Sequence, residues 1–256
     1  MMIRYIKGLG IPGSKMAKSR SGLSEFSHAF ISIVIPAYNE EKTIEKVIRD
    51  ALLALKKITT KYEVLVVNDG SSDSTKELLE KISSRNRHVR AISFKENQGV
   101  GAALHALYKE AKGEFIFINA ADDQVKMKEL LVLLPYIADN DIVVGRRMNR
   151  ADSRFRKLAS GLFSLVLRLR FGVPAKDVDS VKVYRASALG KVRPQSRTAF
   201  IEAEILIKAA QKKLRIIEVP IKHYSRKHGK AKGLRLKIIT LQLKELSKAF
   251  FRINWN

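Results

Sequence analysis

The chain has 256 residues, 49 Lys and Arg against 25 Asp and Glu, a net charge of +24 and no cysteine. An apolar content of 46% suffices for a core, which excludes wholesale disorder, and the lack of cysteine excludes disulfides, thiolate metal sites and a cysteine nucleophile. The basic excess calls for an anionic partner: nucleic acid, a phosphate-bearing substrate or an acidic membrane surface.

Residues 1–30 are basic, rich in Gly and Ser, and lack the continuous apolar stretch of a signal peptide. They are expected to form a flexible arm. Gly8, Gly10 and Gly13 have the spacing of a dinucleotide fingerprint, but no strand precedes them and no helix follows, so they read as linker. From Ile31 the pattern changes. Ile31–Ile35 is a short β-branched run suited to a strand covered on both faces, and Glu41–Leu55 places Ile44, Val47, Ile48, Leu52 and Leu55 at helical spacing. The couplet recurs as Glu63–Val67 with Ser72–Ile82, as Val89–Phe94 with Val100–Ala111, and as Glu114–Ile118 with Met127–Ile137. Asp141–Gly145 adds a fifth strand. Strands alternating with helices predict an α/β fold with a mainly parallel, doubly wound sheet.

Beyond Gly145, Arg146–Lys157 is a basic loop with five arginines and Lys157 against Asp152 alone. Helices are expected at Leu158–Phe171, Phe200–Lys212 and Leu234–Phe251, and strands at Val181–Tyr184 and Leu214–Ile221. The best uncharged run, Leu158–Leu167, is half of the ~20 residues that a spanning helix needs. The helices at Leu158–Phe171 and Leu234–Phe251 combine apolar stripes with basic residues. Such helices either lie on an anionic leaflet or cover their own core. The five histidines are scattered without metal-ligand spacing.

Ligands of an open parallel sheet sit outside the carboxyl ends of its strands. Those ends carry Pro36-Ala37-Tyr38-Asn39-Glu40, Asn68-Asp69-Gly70-Ser71-Ser72-Asp73, and Asn119-Ala120-Ala121-Asp122-Asp123-Gln124. Asn39, Ser72 and Asp73 also suit helix caps. Capping leaves unexplained why Asp69, Asp122, Asp123 and Gln124 gather on one rim of a basic chain.

Ile33–Glu41 (IVIPAYNEE), Val66–Thr75 (VVNDGSSDST), Asn97–Gly101 (NQGVG) and Asp141–Arg147 (DIVVGRR) resemble inverting family 2 glycosyltransferases. With Asp177–Arg185 (DVDSVKVYR), Phe200–Leu206 (FIEAEIL) and Glu218–Lys232 (EVPIKHYSRKHGKAK), the likeness is closest to the dolichyl-phosphate mannosyltransferase and polyprenyl-phosphate sugar transferase branch. The resemblance implies a glycosyltransferase-A type, Rossmann-like nucleotide-binding sheet with helices on both faces and C-terminal amphipathic helices. It places the catalytic domain at 31–232, with a donor half at 31–145, an acceptor half at 146–232, and a basic amphipathic helix at 233–256.

Carried over position by position, Pro36, Ala37, Tyr38 and Glu40 hold the nucleoside, with Asp69 on base or ribose and Ala121 lining the donor. Asp122 and Gln124 match the metal-binding Asp-x-Asp-x-Gln segment, where Ala120 replaces the first Asp and Asp123 is an additional acid. Asn68 replaces another usual acid. The implied cofactor is Mg2+ or Mn2+ on the donor diphosphate. Arg147, Arg156, Arg226 and Lys232 match phosphate-contacting positions, and Asp122, Arg147 and Arg226 are the expected catalytic groups. A phosphomonoester with a second pKa of about 6 needs little help from a base.

The implied reaction moves a sugar from a nucleotide sugar, GDP-mannose by default within the branch, to polyprenyl or dolichyl phosphate at the cytoplasmic face of a membrane. A separate membrane subunit is a further partner to consider. The alternatives are transfer to a sugar hydroxyl, with Glu202 or Glu204 as the nearest base, and an inactive nucleotide-sugar-binding relative arising from Ala120. Nucleic-acid binding would explain the charge but leaves the acidic strand ends without a role.

Overall fold

A computed structural model describes residues 22–148, 154–225 and 236–251. Its strands are β1 (Ile31–Ala37), β2 (Tyr62–Asn68), β3 (Val89–Ser93), β4 (Phe115–Ile118), β5 (Ile142–Met148), β6 (Lys182–Arg185) and β7 (Ile216–Lys222). The helices are α1 (Ile44–Lys56), α2 (Thr75–Arg85), α3 (Val100–Glu110), α4 (Lys128–Leu133), α5 (Arg154–Phe171), α6 (Ala186–Val192), α7 (Ile201–Gln211) and α8 (Leu236–Phe251). The strands form one sheet in the order β3-β2-β1-β4-β6-β5-β7.

Alternation along the strands feeds two apolar layers, as period-2 geometry requires. Ile33, Ile35, Val64, Val66, Phe117 and Val143 face α1, α2 and α4. Val34, Leu65, Val67, Ile116, Ile118, Ile142 and Val144 face α3, α5 and α7. The continuous apolar runs in the sequence reflect this two-sided burial.

The pairings are parallel except at β6, which runs antiparallel to both β4 and β5. Lys182, the first residue of β6, is in register with Ile118 and with Val144. The segment entering β6 therefore reaches the same edge as the segments leaving β4 and β5. That reversal brings the segment entering β6 to the edge where the six other strands end.

Three expectations need correction. The 1–30 arm is too long: residues 1–21 lie outside the described residues, but Leu23–Phe26 forms a 3-10 turn. Phe26 is 2% exposed and packs edge-on against Phe115 at 5.3 Å, so its aromatic ring belongs to the core. The helix expected at Met127–Ile137 is α4 followed by a 3-10 turn at Leu134–Ile137, because Pro135 has no N–H for a continued α-helix. Helix α6 was not expected, since seven residues supply too little periodicity to register.

Candidate active site

Beyond β1 and β2 the chain forms a hydrogen-bonded lattice. Asn39 adopts a left-handed conformation (φ 54°), which Asn tolerates better than most residues. Its N–H donates to Ser71 Oγ at 2.9 Å, and its Oδ1 accepts from Ser72 N–H at 2.8 Å. Asp73 accepts from Thr75 N–H at 3.0 Å and Glu41 N–H at 3.2 Å, and Glu40 N–H donates to Thr75 Oγ1 at 2.9 Å. Asp73 thus braces the turn that enters α2, while the N-cap position itself is Ser74, which makes no side-chain capping bond. Buried Asn68 accepts from Ser71 N–H at 3.1 Å and donates to Ser93 Oγ at 3.3 Å, the latter a role an ionised acid could not fill. Pro36, Tyr38 and Glu40 are half-buried beside this lattice, and Ala37 is buried.

Asp69 is turned inward. Its Oδ1 accepts from Gln98 N–H at 2.8 Å, and its Oδ2 from Gly99 N–H at 3.0 Å and Asn97 Nδ2 at 2.9 Å. Burial raises its carboxyl above the ordinary range, while the hydrogen bonds from Gln98 and Gly99 oppose the rise. Gly70 makes the clasp possible: φ is +64°, and a Cβ there would lie 2.3 Å from the Glu96 carbonyl carbon. The carboxylate expected on the nucleoside thus fixes the loop entering α3.

Beyond β4, Ala120 is exposed, Ala121 buried, and Asp122, Asp123 and Gln124 half-buried. Asp122 Oδ1 accepts from Gln124 N–H at 3.1 Å, a local turn that orients its carboxylate. Asp123 is committed elsewhere: Lys126 Nζ lies 2.5 Å from its Oδ2 and Lys46 Nζ 3.2 Å. Burial alone would raise its carboxyl, but hydrogen bonds from Lys126 and Lys46 hold it below the ordinary range. Two lysines on one carboxylate oppose a cation there, so the expected ligand set contracts to Asp122 and Gln124. Among the described residues no group of three or more His, Cys, Asp or Glu could hold a metal ion. The remaining set still fits Mg2+, which is commonly held by one or two carboxylates with substrate phosphates and water.

Gln124 also joins two segments. Tyr224 N–H donates to Gln124 O at 2.9 Å, and Gln124 Nε2 donates to Tyr224 O at 3.3 Å. This pair clips the candidate metal segment to the stretch leaving β7. Lys126 and Lys128 lie 5.6 and 5.5 Å from the Tyr224 ring centroid.

On the other side of β6, Arg147 makes a bidentate pair with Asp177: Nε to Oδ2 at 2.9 Å and Nη2 to Oδ1 at 2.6 Å. Its backbone N–H donates to the same carboxylate at 2.9 Å. Glu218 Oε1 accepts from Lys176 and Asp177 N–H at 2.7 and 2.9 Å, fixing the loop that holds Arg147. The expected phosphate contact is therefore partly neutralised by Asp177. Arg226 and Lys232 lie outside the described residues, and of Arg156 only its place in the first turn of α5 is described.

Glu202 is not poised as a base. Its Oε2 accepts from Lys182 Nζ at 2.5 Å and Tyr184 OH at 2.9 Å, and its Oε1 from Tyr108 OH. Burial, reinforced by the Glu202 charge, drives both tyrosine hydroxyls well above their ordinary range, so they remain donors. Glu204 is fully buried and accepts from Ser196 N–H at 2.7 Å, with Lys208 Nζ at 2.8 Å. Both acids orient neighbouring groups.

Sequence reasoning passed over Asp179. It lies on the segment entering β6 and keeps an exposed surface. The protein around it still raises its carboxyl by desolvation, against the pull of Lys182 and Arg147. The signal was available: two acids two residues apart precede a short strand in a chain poor in acid. Tyr224 was missed as well; its place follows from the backbone pair with Gln124 and the two lysines beside its ring.

Residues 32–193 match the model of glycosyl transferase family 2. The chain belongs to glycosyl transferase family 2. It is 34% identical over 215 residues to undecaprenyl-phosphate 4-deoxy-4-formamido-L-arabinose transferase of Pectobacterium atrosepticum, a match covering 82% of this chain and 64% of the relative. The same-named Edwardsiella ictaluri protein is 32% identical over 216 residues, 83% of this chain and 65% of that one. The family 2 chain thus spans slightly less than two thirds of these relatives' length.

Its fold is the glycosyltransferase-A fold. Glucosyl-3-phosphoglycerate synthase of Mycobacterium tuberculosis, solved with Mn2+, uridine diphosphate and phosphoglyceric acid, superposes with a TM-score of 0.71 at 19% identity, over 91% of this chain and 82% of that one. The Pyrobaculum calidifontis mannosyltransferase, solved with GDP-mannose and Mn2+, gives 0.65 at 17% identity, over 90% and 66%.

Proposed function

We propose that this family 2 chain transfers a sugar from a nucleotide-sugar donor to a polyprenyl phosphate, with inversion at the anomeric carbon. The observation that carries the reading is the clip between Gln124 and Tyr224. It joins the segment carrying Asp122 to the segment that runs toward Arg226 and Lys232. Donor diphosphate and acceptor phosphate would then share one edge. The relatives named as undecaprenyl-phosphate transferases support the acceptor.

Pro36, Ala37, Tyr38 and Glu40 line the nucleoside pocket, and the Asp69 clasp keeps the 97–99 loop against it. Asp122 and Gln124 would hold Mg2+ or Mn2+, which when bound supplies positive charge to the leaving diphosphate. Lys126 and Lys128 add positive charge beside that segment. Arg147, held in place by Asp177, would add guanidinium charge at the acceptor phosphate together with Arg156, Arg226 and Lys232. The acceptor is already ionised, so the engagement of Glu202 and Glu204 elsewhere costs the reaction nothing. Among the described residues no helix is long and apolar enough to cross a membrane, and a lipid-linked acceptor would be met at a membrane surface.

The relatives named 4-deoxy-4-formamido-L-arabinose transferases support that sugar as the first donor to test. They lend no weight to the mannose expected from the resemblance. A second reading, transfer to a hydroxyl, is favoured by Asp179, a carboxylate at the entry to β6 whose proton affinity is raised by desolvation and which, unlike Asp69, is not engaged by the 97–99 loop.

The deciding experiment offers nucleotide-linked 4-deoxy-4-formamido-L-arabinose, GDP-mannose, UDP-glucose and UDP-N-acetylglucosamine separately. Each is supplied with polyprenyl phosphate in detergent, with Mg2+, Mn2+ or EDTA. Label entering the lipid phase from one donor, and lost in EDTA, is the expected result. Donor binding without transfer to lipid under any condition would overturn the reading.

A further inference from the structure

Helix α5 presents four leucines to solvent: Leu158, Leu162, Leu165 and Leu169 are 72%, 61%, 43% and 79% exposed. At 3.6 residues per turn they fall within an arc of about 60° and extend along about 16 Å of helix. The opposite face carries Ser164, Leu167 and Phe171, all buried, so the core is already served by that side. Isolated exposed leucines need no explanation, whereas a continuous stripe does.

The flanks of the stripe are basic. Helical rotation puts Lys157 and Arg168 on one side and Arg170 on the other, and all three are exposed. No acidic residue occurs between Arg154 and Phe171. Arg170 extends the patch onto α8: its Nη2 donates to Phe250 O at 3.2 Å, and its guanidinium lies 4.8 Å from the Phe250 ring centroid. Phe250 and Leu241 are themselves 42% and 39% exposed.

We propose that the leucine face of α5, continued by Leu241 and Phe250, is the surface by which this chain docks on an anionic lipid leaflet. The inference rests on the reading of a lipid-linked acceptor and adds the face used. The charge argues for lipid against a second copy of the chain: two molecules of +24 would bring basic flank against basic flank. An apolar stripe with cations on both sides matches acyl chains beneath a layer of phosphates. Helix α5 also follows β5, whose end carries Arg147 at the ligand edge. Docking through α5 therefore holds that edge near headgroup depth, where an acceptor phosphate resides.

The test is sedimentation of the full chain with phosphatidylcholine vesicles, with and without phosphatidylglycerol. It compares the wild type, a Leu162→Asp/Leu169→Asp double variant, and Leu53→Asp, which alters an exposed leucine on α1 (52%). The wild type and Leu53→Asp should bind the phosphatidylglycerol vesicles. The double variant should bind about 100-fold more weakly, roughly tenfold per leucine. It should retain wild-type transfer to a short, water-soluble isoprenyl phosphate while losing transfer to polyprenyl phosphate embedded in vesicles. Equal vesicle binding by wild type and double variant overturns the proposal. So does a wild type that ignores the vesicles, or a double variant that converts a dimer to a monomer in size-exclusion chromatography. A wild type that binds vesicles through this face but modifies no isoprenyl phosphate, long or short, sinks the acceptor reading and leaves the docking face standing.

Discussion

The two halves of the ligand edge are held by different forces. Between β1 and α3, order comes largely from short polar side chains and backbone N–H groups: Asn39 with Ser71 and Ser72, Asn68 with Ser71, Asp69 with the 97–99 loop. Beyond β6, order comes from buried ion pairs: Arg147 with Asp177, Lys182 with Glu202, Lys208 with Glu204. The first device shapes loops while adding little net charge. The second keeps cations in position by pairing each with a carboxylate, and its members are far more sensitive to the loss of one partner.

The largest effect should come from Asp122, the one acid of its segment not paired with lysine. Asp122→Asn should lower turnover about 100- to 1,000-fold, the scale of removing a main electrostatic stabiliser of the transition state. Nucleotide binding measured without divalent cation should be unchanged. Turnover within a fewfold of wild type would place the metal elsewhere.

Next comes the buried pair on the acceptor side. Glu202→Ala should destabilise the fold by about 3–5 kcal/mol in denaturant unfolding, because Lys182 would stay buried without its counter-charge. Glu202→Gln sharpens the comparison by keeping the shape and removing the charge. If Glu202 acts only through packing and charge, the folded fraction of that variant should keep its activity. A stable but inactive Glu202→Gln protein would restore this residue as a base.

The strands were legible because two-sided burial writes itself as β-branched runs, and the edge was legible because strand ends in a parallel sheet share one side. Partner choice was not. Spacing alone could not say that Asp123 turns to Lys46 and Lys126, or that Arg147 turns to Asp177, since both outcomes use the same residues at the same positions. Nor could it show that β6 runs antiparallel: a four-residue strand carries no sign of direction. That reversal brings Asp177 and Asp179 to the edge, so the acids missed in the sequence are those whose placement depends on topology.

A smaller effect tests the contracted metal segment. Ala120→Asp restores a second carboxylate two residues before Asp122, at an exposed position where a longer side chain can be accommodated. The Mn2+ or Mg2+ concentration giving half-maximal turnover should fall about tenfold, since affinity for hard cations rises with ligand charge. No change in the cation titration would mean that position 120 does not face the ion.

Asp179→Asn should have the smallest effect on stability, and its sign follows from the raised proton affinity of the carboxyl. The folded chain holds that proton more tightly than the unfolded chain does. The group's contribution is therefore fully present below the ordinary carboxylate pKa and is lost as pH rises through the elevated one. Asn cannot ionise and escapes that loss. The variant should unfold at a slightly higher temperature than wild type at neutral pH, and the difference should vanish in acid, as thermal unfolding across pH would record. The same variant separates the two acceptor readings. With a phosphate acceptor, turnover and its pH profile should stay near wild type, because the nucleophile arrives already ionised. With a hydroxyl acceptor, loss of the base should cost about 100-fold or more. Asp179 feels the charges of Lys182, Arg147, Asp177 and Glu202, so its response reports whether proton transfer is needed on the ion-paired side of the edge.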